Sequence, residues 1–151
     1  MHINPDHFLQ TADGRVVTPE RNAAAWKQCH ESLARALGDA GADAKVYVLV
    51  GPQGAGKSTW AAACATREPA AIVFDAILVR RVERAPILEA ARRHGAIAVA
   101  VWFRTPLEAC LARNASRPAD EVVPQQAIRN VHAAVEVPSL EEGFDEILEI
   151  P

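Results

Sequence analysis

The stretch Gly51-Pro52-Gln53-Gly54-Ala55-Gly56-Lys57-Ser58 carries the plainest chemistry in this 151-residue chain. It fits the pattern G-x-x-x-x-G-K-[ST]. Glycines let the backbone curl so that successive N–H groups point at one anion. A helix beginning at the end of such a loop adds the partial positive charge of its N-terminus. In this pattern Lys57 reaches the β- and γ-phosphates of a nucleotide, and the Ser58 hydroxyl ligates Mg²⁺. Gly51, Gln53, Gly54, Ala55, Gly56, Lys57, Ser58 and Thr59 are the expected nucleotide-binding set. A plain turn between strand and helix would need neither Lys57 nor Ser58.

Asp75 is the second candidate. It ends an apolar run (Ala71–Phe74), so its carboxylate falls at the carboxyl edge of a sheet, near the same metal. Arg113 and Arg117 are the third. Four residues apart, they share a face if the helix continues, and guanidinium groups suit the charge that spreads over a transferring phosphoryl group. The same pair is also what a solvated helix end carries. The chain has no N-K-x-D motif, which favours adenine over guanine, and no His-x-Glu or Cys-x-x-Cys constellation. Its five histidines are scattered; only His7, beside Asp6, stands near another candidate group.

These groups need a scaffold. Val46–Val50 is a continuous apolar run too short for a helix, the mark of a strand buried on both faces of a parallel sheet. The loop follows it, then an Ala-rich helix ending before Pro69. Ala71–Phe74 and Ile97–Phe103 read as further buried strands, and Ile147–Ile150 as a last one. Helices are expected over Pro19 to about Leu37, with Thr18 as N-cap and Gly38 at the C-terminal cap. Trp26, Leu33 and Leu37 point inward from that helix. Others span Glu83–His94, with Pro86 in the first turn, start at the Thr105-to-Glu108 capping box, and run from Pro124 to about Val135. Thr11–Arg15 reads as a turn. Strands alternating with helices give an α/β fold with a mostly parallel sheet.

Composition bounds the rest. Half the residues are apolar and 23% are charged, which suits one compact globular domain. A net charge of −3 argues against a broad nucleic-acid surface. No apolar run reaches the roughly 18–20 residues of a membrane span, and the first residues do not read as a signal peptide. Three widely spaced cysteines form no disulfide or zinc framework and suit a reducing cytoplasm.

From Ala71 onward the chain resembles the P-loop kinases typified by the 5′-kinase domain of phage polynucleotide kinase, together with related bacterial kinase-like ATPases. More distantly it is similar to zeta-toxin-like kinases. The resemblance rests on GPQGAGKSTW, on FD followed by Glu83-Arg84, on WFRTPLEACLARNASR, on Val123-Pro124 and on PSLEEGFDEI. It implies a P-loop NTPase three-layer sandwich of about five strands. It also implies ATP and Mg²⁺ as cofactors, with Arg113 and Arg117 on a lid near residues 113–123.

One departure is large. Relatives place a substrate strand and an N-x-D-like motif, whose Asp is the general base, between the P-loop helix and the Asp-ending strand. Here only Arg67-Glu68-Pro69-Ala70 stand there. The N-terminus, however, offers Ile3-Asn4-Pro5-Asp6-His7-Phe8 followed by a helix. A permuted order is expected, with residues 1–38 as the moved substrate-side segment, 45–151 as the nucleotide-binding core, and Asp6 as base. Permutation is tolerated where joined ends lie together at the surface. The sheet order would be the N-terminal strand, Ala71–Phe74, Val46–Val50, Ile97–Phe103, Ile147–Ile150. As a simpler alternative, Asn4-Pro5-Asp6 is a terminal turn. Two further departures weaken a 5′-hydroxyl-end acceptor. Ala76-Ile77 replaces a polar pair, and Leu9 stands where an arginine follows the base. Arg80, Arg81 and Arg84 are candidates to restore that charge.

The expected activity is transfer of the γ-phosphate of ATP to a hydroxyl acceptor, either a polynucleotide 5′-end or a small molecule. The alternative is a nucleotide-binding switch or ATPase module without an acceptor. The sequence leaves the acceptor and the oligomeric state open.

Overall fold

The computed structural model describes residues 1–151. The first strand is only His2–Ile3 (β1), followed by a single 3-10 turn over Pro5–Phe8 and a hairpin of Gln10–Thr11 (β2) and Gly14–Arg15 (β3). Then come Pro19–Ala40 (α1), Lys45–Val50 (β4), Lys57–Arg67 (α2) and Ile72–Asp75 (β5). Arg81–Arg93 (α3), Ile97–Phe103 (β6), Leu107–Ala115 (α4), Gln125–Ala133 (α5) and Glu146–Ile150 (β7) complete the chain.

The main sheet has the order β1-β5-β4-β6-β7, all neighbours parallel, which is the order expected above. β4 sits at its centre with every residue from Val46 to Val50 buried. Side chains alternate across a strand, so β4 feeds two cores. Val46, Val48 and Val50 pack with Leu33 and Leu37 of α1 and Ile87 of α3 on one face. Tyr47 and Leu49 pack with Cys64 of α2, Cys110 of α4 and Ile128 of α5 on the other. The fold is therefore α/β with helices on both sides of a parallel five-stranded sheet. No helix is long and apolar enough to cross a membrane.

Several boundaries differ from the sequence expectations, each for a physical reason. α1 runs through Gly38, where a side chain would meet open space, and the left-handed residue that stops it is Gly41, with φ +73°. α3 starts at Arg81, so Pro86 lies beyond the first turn. Its missing N–H leaves the carbonyl of Val82 without a helical partner, at a residue that is 70% exposed and open to water. Thr105 does not cap α4; its buried hydroxyl donates instead to the Ala55 carbonyl at 2.8 Å. α4 stops at Ala115, so Arg117 does not share a helical face with Arg113.

Candidate functional site

β4 delivers the chain into the Gly51–Gly56 loop at the carboxyl edge of the sheet, and α2 leaves from it. The loop's tightness explains its glycines. At Gly54, φ is +78° and a Cβ would lie 2.4 Å from the Cys110 carbonyl oxygen, so only glycine fits against α4. Gly56, with φ +104°, stands at the N-cap of α2, and no side chain caps that helix. Its leading N–H groups are left free to face an anion. Thr105 holds the loop from below through the Ala55 carbonyl. Ala55 is buried and, with Gly51, shapes the loop beneath the cleft floor.

The Lys57 ammonium lies across this loop, donating to the carbonyls of Gly51 at 2.8 Å and Pro52 at 2.9 Å. Desolvation pushes its pKa down to about 8, with Asp75 as the largest opposing influence. Arg113 Nη1 donates to the Gly54 carbonyl at 3.3 Å, so α4 brings a second cation to the same loop.

Asp75 ends β5 with 2% exposure. Its Oδ2 is the meeting point of three side chains: His2 Nε2 at 2.8 Å, Asn4 Nδ2 at 3.2 Å and Ser58 Oγ at 3.4 Å. Ser58 and Asp75 thus present hard oxygen donors side by side. No group of three or more His, Cys, Asp or Glu side chains is placed to hold a metal by itself. That donor set fits Mg²⁺, which takes one or two protein oxygens and completes its shell with phosphate and water.

Asn4 joins the N-terminal turn to this centre. Its Oδ1 accepts the Asp6 N–H at 2.9 Å while its Nδ2 donates to Asp75. Asp6 is half-buried and its carboxylate lies 3.2 Å from Arg15 Nη1. Arg15 also reaches Glu121 Oε1 at 2.8 Å, and its backbone N–H donates to Asp120 Oδ2 at 2.9 Å. These contacts tie the N-terminal hairpin to the segment between α4 and α5. Buried Asn114 holds that segment, exchanging two hydrogen bonds with the backbone of Val123, at 2.8 and 3.0 Å.

One cleft of about 520 Å³ collects Asp6, Lys57, Ser58, Asp75, Arg113 and Arg117. Gln53, Gly54, Gly56 and Thr59 also line it. Arg80, Arg81 and Arg84 do not. Arg84 is fully buried against Glu142, Arg80 pairs with Glu83, and Arg81 is exposed on α3, so none of them supplies charge to the cleft. His7 is exposed and packs edge-on against His2, with ring centroids 4.9 Å apart.

His2, Arg15 and Thr105 also shape the site, although in the sequence Thr105 reads only as a helix cap, Arg15 as the end of a turn and His2 as a lone histidine. Only the i, i+2 spacing of His2 and Asn4 on an extended segment hinted that the two share a face.

A family model described as an AAA domain matches residues 62–138, just over half of the chain. The matched stretch begins within α2 and contains Asp75, Arg113 and Arg117. No curated protein matches the chain.

Proposed function

Since the chain belongs to this AAA domain family of P-loop kinase-like proteins, we propose that it is an ATP- and Mg²⁺-dependent phosphotransferase acting on a hydroxyl acceptor. The observation that supports this most is the shared cleft. Asp6, from the far N-terminus, lines the same hollow as Lys57, Ser58 and Asp75. Asn4 holds the backbone of the Asp6 turn beside Asp75, which brings a carboxylate into the nucleotide cleft where a phosphotransferase needs a base. The resemblance of the chain to P-loop kinases typified by the 5′-kinase domain of polynucleotide kinase supports this reading. On this reading residues 1–38 serve as the substrate-side segment, permuted ahead of the core.

Each residue then has a task. The loop N–H groups and Lys57 grip the β- and γ-phosphates. Ser58 and Asp75 would hold Mg²⁺, which when bound would neutralise charge on the phosphate oxygens. Asn4 keeps the Asp6 turn in register with Asp75. Asp6 accepts the proton of the acceptor hydroxyl as its oxygen bonds to the γ-phosphorus and the bond to the β–γ bridging oxygen breaks, leaving ADP. Arg113 and Arg117 offset the charge on the transferring group. Most of the rate gain comes from positioning and fixed charge.

The test uses γ-labelled ATP with a set of hydroxyl acceptors. Wild type should label an acceptor, Lys57→Ala should not, and Asp6→Asn should bind ATP as wild type does while losing turnover. Equal turnover in Asp6→Asn and wild type would remove Asp6 as base. ATP binding with transfer to no acceptor would favour the switch or ATPase alternative.

A further inference from the structure

Two parts of the cleft wall come from distant stretches of the chain, and one side chain joins them. Residues 116–124, between α4 and α5, carry Arg117 into the hollow. Their base is fixed where Asn114 bonds the backbone of Val123. Their far side rests on the N-terminal hairpin. Arg15 Nη2 donates to Glu121 Oε1 at 2.8 Å, and the Arg15 N–H donates to Asp120 Oδ2 at 2.9 Å. Gly14 comes so close that a Cβ there would lie 3.2 Å from Asp120 Oδ2. The other arm of the same guanidinium, Nη1, lies 3.2 Å from Asp6 Oδ2.

The hairpin has firm support of its own. Arg21, on α1, donates to the carbonyls of Val16 and Leu9 at 3.0 and 3.3 Å, and the Val16 N–H donates to Leu9 at 2.9 Å. The Arg15 side chain is 13% exposed, against 40% for Asp6 and 29% for Glu121. A bridge centred this far out of water is neither screened nor loose in the way of a surface ion pair. The planar guanidinium also fixes the directions of both its arms. Asp6 and the segment bearing Arg117 are thus held in register by one rigid group.

Resting on the phosphotransfer reading, we propose that Arg15 is a positioning residue that sets the base and the Arg117 segment together. A triphosphate in the loop attracts Arg117, which lines the hollow without a carboxylate partner. An Arg117 held by phosphate steadies residues 116–124, and with them the contacts of Asp120 and Glu121 to Arg15. Arg15 in turn keeps the Asp6 carboxylate in the cleft. Nucleotide at one end of the hollow therefore steadies the base at the other, and the coupling is reciprocal.

The test is hydrogen exchange of the full chain with and without AMP-PNP and Mg²⁺. The Arg15 N–H is itself one of the reporters, because it bonds Asp120. In wild type the analogue should protect residues 51–59 and should also slow exchange over residues 10–16 by about tenfold, the scale of a charge-assisted hydrogen bond. Arg15→Ala should lose the slowing over the hairpin and keep the protection of residues 51–59. Glu121→Ala should do the same, although it leaves the hairpin's own bonds intact. Arg15→Lys keeps the charge with a single point of attachment and should not restore it. In transfer of γ-phosphate from ATP to water and to glycerol, both alanine variants should lower kcat by about tenfold, with a smaller change in KM for ATP. The double variant should be no slower than Arg15→Ala, because both substitutions cut one link. Slowing that survives Glu121→Ala, full rescue by Arg15→Lys, or additive losses in kcat overturns the inference and leaves the phosphotransferase intact. Protection of residues 51–59 with γ-phosphate moved to no acceptor sinks the phosphotransfer reading, and the role of Arg15 in it.

Discussion

The imidazole of His2 lies 2.8 Å from the carboxylate of Asp75, across 73 residues of sequence. Asp75 is nearly inaccessible and gathers Asn4 and Ser58 on the same oxygen. A two-residue strand is a weak unit alone, and β1 is secured largely by its pairing with β5 and by this contact. His2→Ala should therefore destabilise the fold by roughly 1–3 kcal/mol, the range for stripping a donor from a buried charged acceptor. Chemical denaturation reads this directly. Removing Arg92 from its exposed pairing with Glu89 should leave stability unchanged in the same assay.

Gly54 and Thr105 set the shape of the phosphate loop from two sides. Gly54→Ala places a methyl against the Cys110 carbonyl and forces an L-residue to φ +78°, a strain of about 1–2 kcal/mol before any clash. The loop should yield before the sheet does. Nucleotide affinity, measured by calorimetry, should fall by tenfold or more, on the order of that strain converted to binding. Thr105→Val removes only the hydroxyl that holds Ala55, and should weaken nucleotide binding less while keeping the fold. A Gly54→Ala protein that binds nucleotide like wild type would show that the loop's contact with α4 does not matter.

The central strands, the loop and Asp75 were legible because their signals are local. Val46–Val50 is a continuous apolar run, and Gly51–Ser58 carries its chemistry in eight consecutive residues. The order of all five strands follows once the N-terminal strand is set beside Ala71–Phe74. What escaped depends on partners far along the chain. His2 looked like a stray histidine because Asp75 lies 73 residues on. Thr105 had the sequence of a cap, but Ala55 competes for its hydroxyl from 50 residues away. Arg15 looked like the end of a turn until Glu121 and Asp6 met it. Gly38 looked like a helix stop, yet the residue that adopts the left-handed conformation is Gly41.

Arg84, with Arg80 and Arg81 a candidate in the sequence to supply charge to the site, is instead buried completely by the fold. Its guanidinium grips both oxygens of Glu142, at 2.8 and 3.0 Å, and donates to the Leu78 carbonyl at 2.8 Å. The pair fastens α3 to the turn before β7. Arg84→Ala strands a buried carboxylate, so a loss of about 3–5 kcal/mol is expected. Replacing both partners with apolar residues, Arg84→Met with Glu142→Leu, should recover much of that loss, because no charge is left unpaired. A double variant as unstable as the single one would show that the three hydrogen bonds, rather than the stranded charge, dominate. Thermal melting of the set separates the two accounts.

Lys57 should report its ligand by taking up a proton. Desolvation lowers its pKa from 10.5 to about 8, so above that pH the folded chain holds fewer protons on this group than the unfolded chain does. Stability from this residue therefore rises with pH between about 8 and 10.5. A triphosphate against the ammonium favours the charged form and raises the pKa again. Near pH 7 the amine is already protonated and nucleotide binding should exchange no proton with it. Near pH 9 binding should draw one in, and affinity should weaken as pH climbs past about 8. Calorimetry in two buffers of different ionisation enthalpy measures the uptake, and Lys57→Ala should abolish it. Proton release on binding at pH 9, or the same uptake in Lys57→Ala, would place the titrating group elsewhere.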